Sequence, residues 1–361
     1  DLVTTVPNAP TAPSAPGTLD ALTVGEDDER VEGPSWASVD LAPFLDGTHR
    51  APAAALMPRP DGVCLLYPGL VHSVHGESES GKSWICQAEA ARVLLDTYDR
   101  VLYVDFESDP ASIVERLLAL GAPVETIRDR FDYRRPEASP TSTHELDAWR
   151  DMLTGRYALA VVDGVTDSLG LFGKKTTDND EISAWLRAFP KQLARRTGAA
   201  VVLIDHVTKD ADTRGRFAIG GQAKLAGLDG AAYVVDVAQP LGRGLRGTLT
   251  LRVAKDRPGG VRGHSGPMRK GDRTQESARF VLDSTGDRLV ASIEPPSMDA
   301  DGPSGFRPTG VMERASKAIE KSPGTTTRGL EALVSVKKET LATAVELLVV
   351  EGYVRREEGS R

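Results

Sequence analysis

The stretch Gly76-Glu77-Ser78-Glu79-Ser80-Gly81-Lys82-Ser83 sets two glycines with four residues between them and follows the second at once with a lysine and a serine. Glycine lacks a Cβ, so a loop punctuated this way curls tightly enough for several backbone N–H groups to face one anion. A lysine directly after it brings positive charge to the outer phosphates of a nucleoside triphosphate, and the serine hydroxyl is a ligand for Mg²⁺. The pattern carries weight only between a strand and a helix, whose positive N-terminal end adds to the field on the phosphates. Both flanks are present, YPGLVHSV before it and SWICQAEAARVLLD (83–96) after it. Residues Gly76, Glu77, Ser78, Glu79, Ser80, Gly81, Lys82 and Ser83, with Trp84 beside them, are the expected contacts of ATP, and Mg²⁺ is the expected metal.

A metal held by a serine also needs a carboxylate, and the apolar run ALAVVD delivers Asp163 at a strand end. The residue after it is Gly164, so no glutamate follows the aspartate directly. The group that activates water must therefore come from another strand end, and VLYVDFESD supplies Glu107. The carboxyl ends of parallel strands line the ligand crevice, which puts Glu107 in reach of an attacking water. Alternation turns Asp105 to the same side and leaves it as the alternative; Glu107 lies nearer the crevice. His72 and His75 have the spacing of a metal pair, but no cysteine or acidic cluster joins them, and they read as structural.

Positioning such groups requires a sheet with helices around it. Apolar runs at 70–74, 101–106, 158–163, 200–205, 231–237 and 247–254 alternate with helical patterns at 83–96, 111–121 and 180–196. Continuous apolar strands separated by helices predict an α/β fold with a mostly parallel sheet covered on both faces. Residues 278–293 read as a hairpin turning at 284–287. The expected order is a Pro/Ala-rich linker (1–35), a lead segment packing on the core (36–70), the core itself (71–295), a Pro/Gly/Ser linker (296–308) and a small helical domain (309–361). The last domain has three helical segments, with a basic start to the third, and a possible wing at 353–361. The pattern predicts a winged-helix-like domain over 309–361, with a small helical cap on the main domain as the alternative.

The chain has 361 residues, 40% of them apolar, a net charge of −8 and two cysteines, Cys64 and Cys86. Two cysteines give no disulfide framework, which points to a reducing cytoplasm. No apolar run is long enough to span a bilayer, so a membrane role is not expected. An acidic chain lacks the basic face of a typical nucleic-acid binder, so any such contact must come from local basic loops.

Taken together, GESESGKS, FESDPASIVERLLALG and AVVLIDHVTKD resemble the RecA-like ATPases, and within them the RepA-type hexameric replicative helicases, relatives of the DnaB type. The resemblance covers about 70–260. It implies that Glu107 activates water, that His206 senses the γ-phosphate, and that a basic pair, Lys255 and Arg257, completes the site of a neighbouring subunit. It also implies a homo-oligomeric ring, a hexamer, with loops at 173–180 and 208–227 facing a central channel. Lys174, Lys175, Arg214, Arg216 and Lys224 would there track single-stranded DNA, and a primase or replication initiator would act upstream. The expected activity is ATP-driven unwinding of DNA. A recombinase- or clock-like regulatory ATPase without unwinding, and a nucleotide-switched DNA-binding regulator, stay open beside it.

Overall fold

The computed structural model describes residues 36, 38–46, 52–207, 221–297, 309–334, 336, 338–350 and 353–355. The chain divides into two compact units, residues 1–297 and 298–361. Among the described residues no helix is long and apolar enough to cross a membrane.

The first unit opens with a single turn, α1 (Ala42–Leu45), and a small antiparallel pair, β1 (Leu56–Pro58) with β2 (Cys64–Leu66). Leu56, Met57, Leu65, Leu66 and Tyr67 are buried there. The nucleotide-loop strand β3 (Val71–Gly76) and its helix α2 (Lys82–Asp96) follow. Next come β4 (Val101–Asp105), α3 (Pro110–Ala119), α4 (Val124–Arg130), β5 (Phe131–Arg134), α5 (Thr143–Thr154) and β6 (Leu159–Asp163). Then α6 (Val165–Leu171), α7 (Asn179–Ala188), α8 (Pro190–Thr197), β7 (Ala200–His206), α9 (Gly221–Gly227) and β8 (Ala231–Gln239). Three strands end the unit, β9 (Arg246–Asp256), β10 (Gln275–Asp283) and β11 (Val290–Glu294).

Nine of these strands form one sheet in the order β11-β10-β9-β8-β3-β7-β6-β4-β5. From β8 to β5 neighbours run parallel, and β9, β10 and β11 extend the sheet antiparallel. Alternation along the central strands divides their side chains between two apolar layers. Val101, Tyr103, Leu159, Val161, Val202 and Ile204 join Ile85, Ala90, Leu94, Ile113 and Leu117 of α2 and α3 on one face. Leu102, Val104, Ala160, Val162, Val201 and Leu203 join Trp149, Met152, Leu169, Trp185 and Leu193 of α5 to α8 on the other. Burial on both faces is the reason the central strands read as unbroken apolar runs.

Two expectations change. The run 247–254 is not a further parallel strand: no helix separates it from β8, so the chain turns straight back, and its alternating burial marks an antiparallel strand. The pattern at 180–196 is two helices, because Pro190 has no N–H for an ongoing ladder and begins α8 instead. The hairpin expected at 278–293 is present as β10–β11.

The second unit contains α10 (Thr309–Lys321), α11 (Thr327–Leu333) and α12 (Lys338–Val350). They enclose a small core of Val311, Met312, Ala315, Leu330, Val334, Leu341, Ala344 and Leu348. Thr326 caps α11 by accepting the Gly329 N–H. Residues 356–361, most of the expected wing, lie outside the described residues.

Candidate nucleotide site

The loop between β3 and α2 has the backbone that its glycines allow. Gly81 precedes the helix at φ +80, a left-handed conformation, and a Cβ there would lie 2.7 Å from Leu241 Cδ1. At Gly76 a Cβ would lie 2.7 Å from the Val235 carbonyl oxygen. Glu77, Ser78 and Glu79 form the exposed tip, with Glu79 at φ 61. Lys82 is buried, and its ammonium donates to the carbonyls of Gly76 at 3.2 Å and Glu77 at 2.5 Å. Burial lowers the Lys82 pKa, while the carboxylates of Asp163, Glu107 and Asp205 oppose the shift.

Three features test whether these residues fit a nucleotide and Mg²⁺. The Ser80 hydroxyl is buried with no hydrogen-bond partner among the described residues, inside the cradle where a phosphate oxygen would accept from it. The Gly76 position leaves no room for a side chain. Ser83 lies close enough to the Asp163 carboxylate to help hold its pKa down, which brings together the hydroxyl and acid that hold Mg²⁺ in such loops. The residues fit. When bound, Mg²⁺ supplies positive charge against the β- and γ-phosphate oxygens.

Asp163 ends β6, buried, and accepts from the Tyr103 hydroxyl at 2.6 Å. Gln87 donates to the same hydroxyl at 3.2 Å, and Arg116 in turn donates to Gln87 at 3.2 Å. Burial, with Glu107 and Asp105 nearby, pushes the Asp163 pKa up to about 6 against the pull of the Tyr103 bond. A carboxylate holds Mg²⁺ and the protonated acid does not. Nucleotide binding in Mg²⁺ is therefore expected to be full well above pH 6, to be half lost at about pH 6 and to fall further as pH drops below it. Calorimetric titrations on either side of that pH, with and without Mg²⁺, check this; the acid limb should vanish without the metal.

Glu107 follows β4 and passes directly over Gly164. A Cβ on Gly164, which sits at φ +89, would lie 2.8 Å from Glu107 Cγ and 3.1 Å from Phe106 Cβ. The missing glutamate after Asp163 and the glutamate after β4 are thus one arrangement: the second occupies the space that a side chain on the first would need. Asp105 is buried and fully engaged, accepting the N–H groups of Glu107 at 3.0 Å and Ser108 at 2.8 Å and the Tyr133 hydroxyl at 3.0 Å. It holds the turn that carries Glu107. His206 ends β7 with Nε2 3.5 Å from Glu107 Oε1 and Nδ1 3.4 Å from Ser78 Oγ. Loop tip, water-activating candidate and sensor candidate therefore converge at the carboxyl ends of β3, β4 and β7.

The other expected residues lie apart. The Trp84 ring packs under the Arg116 guanidinium, 4.8 Å from its centroid. Val235 pairs with Gly76 on one side and Leu251 on the other, and Arg257 lies six residues beyond Leu251. At about 3.4 Å per residue, Arg257 is about 20 Å from its own loop, beyond the reach of its side chain. Lys255 is not free to be a second finger: its ammonium is fixed on the carbonyls of Leu225, Ala226 and Leu228. Lys224 leaves the DNA-contacting set as well, because it is buried with Nζ 2.6 Å from Asp205 Oδ2. Lys174 is half-buried and Lys175 exposed between α6 and α7. Arg214 and Arg216 lie outside the described residues.

His72 is buried, one ring nitrogen 3.0 Å from the Tyr67 carbonyl and the other accepting the Ala231 N–H at 3.0 Å. Burial pushes its pKa down to about 4, and no cluster of three potential metal ligands occurs among the described residues. Sequence reasoning missed Tyr103, Gln87 and Tyr133. Alternation puts Tyr103 on the Asp105 side of β4, but nothing in the pattern says that its hydroxyl reaches β6.

Residues 48–212, which hold the loop, Glu107, Asp163 and His206, match the family described as AAA domain. A stretch of 170 residues is 30% identical to DNA repair protein RAD51 homolog 4 of Mus musculus, covering 41% of this chain and 49% of that protein. The chain thus spans about half the length of this curated relative. Matches and fold together support a P-loop ATPase core of the RecA-like type.

Proposed function

We propose that this chain is an ATP-hydrolysing DNA motor, a ring-forming replicative helicase of plasmid or phage type, with single-stranded DNA passing through a central channel. The observation that carries the reading is the distance between Arg257 and the loop of its own chain. Ser83, Asp163, Glu107 and His206 gather around one loop, whereas Arg257, exposed at the end of β9, lies about 20 Å from it. Such a site is finished by a second copy whose Arg257 enters from outside, and repetition of that head-to-tail contact builds a ring where the rotation between copies closes.

Lys82 and the loop amides hold the phosphates, Glu107 orients and deprotonates water, and His206 lies where it can report the γ-phosphate to β7. Lys174 and Lys175 are the described candidates for tracking a phosphate backbone, with Arg214 and Arg216 beyond the described residues. Unwinding of a forked duplex, measured beside ATP hydrolysis with and without single strands, tests the reading. Hydrolysis stimulated by single strands with no unwinding would instead favour an assembly-type ATPase, the reading to which the similarity with a DNA repair protein lends weight.

The second unit is proposed as a winged-helix module that binds duplex DNA or a replication partner. Removing residues 309–361 is expected to leave basal hydrolysis intact, since every site residue lies in the first unit, and to weaken duplex binding in a filter or anisotropy assay. Unchanged binding would reduce the three helices to a cap.

A further inference from the structure

Two lysines that the sequence assigned elsewhere converge on one short helix. Lys224 of α9 is paired with Asp205 at 2.6 Å, and the other oxygen of Asp205 accepts the His206 N–H at 2.8 Å. At the C-terminal end of the same helix, Lys255 Nζ donates to the carbonyls of Leu225 at 2.7 Å, Ala226 at 2.9 Å and Leu228 at 2.7 Å. A Cβ on Gly227 would lie 2.4 Å from Leu186 Cδ1, so α9 sits on α7 without clearance. One residue past Lys255, the Asp256 carboxylate accepts the N–H groups of Gly259 at 3.1 Å, Val261 at 2.9 Å and Arg262 at 3.0 Å, and the Tyr67 hydroxyl at 2.9 Å. The K-D-R strand end is therefore fixed at its first two residues and exposes the third, Arg257.

We propose that α9 is a rigid tie between the γ-phosphate end of a subunit's own site and the arginine which that subunit presents to its neighbour, with Lys224 and Lys255 as positioning residues for Arg257. The inference rests on the reading of Arg257 as a finger acting in trans. A buried ion pair that loses its alignment leaves a charge without a partner, so Asp205 and Lys224 move together or not at all. A helix of 7 residues seated on α7 passes such a shift on as a body. The end of that body, beginning one residue past Lys224, is held by three hydrogen bonds from Lys255, two residues from Arg257. Neither lysine touches nucleotide; both act on the neighbouring site through the finger.

The test is complementation in trans. Lys224→Met and Lys255→Met subunits keep their own Glu107 but present a misplaced Arg257, whereas Glu107→Gln subunits present a well-held one. Each lysine variant alone is expected to bind ATP with unchanged affinity and to hydrolyse it about 10²-fold more slowly, the effect of a misplacement of about 1 Å. Lys224→Arg is expected to restore turnover. An equimolar mixture of either lysine variant with Glu107→Gln is expected to recover about a quarter of wild-type turnover, because about one interface in four of a random ring pairs an intact Glu107 with a held Arg257. A lysine that merely packs inside its own site gives no recovery, since every site then lacks either its base or its sensor. That outcome, or normal turnover in both lysine variants, overturns the proposal. A parallel mixture of Arg257→Ala with Glu107→Gln separates the two readings. If it fails to recover, the finger is wrong and the tie falls with it; if it recovers beside inert lysine mixtures, the tie alone is wrong.

Discussion

Arg257→Ala is expected to bind ATP almost as the wild type does and to hydrolyse it about 10³-fold more slowly, the contribution that an arginine finger makes to phosphoryl transfer. Binding survives because Lys82 and the loop amides, at the opposite end of the sheet from Arg257, hold the phosphates. Turnover fails because the guanidinium is needed only when charge builds on the transferring group. On the ring reading proposed above, Arg257 serves the site of a neighbouring copy, and the defect is then shared between copies. Mixing Arg257→Ala with Glu107→Gln is expected to restore part of the activity that neither has alone. Equilibrium nucleotide binding, turnover and sedimentation with ATP and single-stranded DNA are the measurements. A particle that stays monomeric under those conditions, and hydrolyses at full rate without Arg257, ends the ring reading.

What was legible before the structure follows the physics of each feature. The phosphate loop announces itself because its chemistry is backbone chemistry, and glycine at positions 76 and 81 has no substitute where Val235 and Leu241 stand so close. The central strands were legible because burial on both faces leaves unbroken apolar runs. The element β5 was not: its four residues, FDYR, are all half-buried at the sheet edge and carry three polar groups. The orientation of β9 depends on what lies between strands, a short turn in place of a helix, rather than on the strand's own residues. Lys224 and Lys255 looked like surface cations because composition does not say where an ammonium goes. One is buried against Asp205 and the other is held by three carbonyls that belong to a different element. Side-chain partners brought together across long stretches of chain are invisible to spacing rules, whereas local backbone demands are written in the residues themselves.

Glu107→Gln is expected to keep ATP and Mg²⁺ binding and to lose at least about 10²-fold in turnover, the usual share of a general base. The amide keeps the shape and polarity of the side chain but cannot accept a proton from water. Asp105 is the rival, and its surroundings argue against it: each of its oxygens is already taken, by the N–H groups of Glu107 and Ser108 and by the Tyr133 hydroxyl. Asp105→Asn should therefore act indirectly, by loosening the turn that aims Glu107. A variant on the partner surface separates the two roles. Gly164→Ala inserts a methyl group 2.8 Å from Glu107 Cγ at a left-handed position, so it should displace the Glu107 side chain while leaving the bonds of Asp105 to Ser108 and Tyr133 in place. If Glu107 is the base, Gly164→Ala lowers turnover toward the Glu107→Gln level without weakening nucleotide binding. If Gly164→Ala and Glu107→Gln both hydrolyse normally while Asp105→Asn does not, the base is Asp105, and the space above Gly164 serves packing alone.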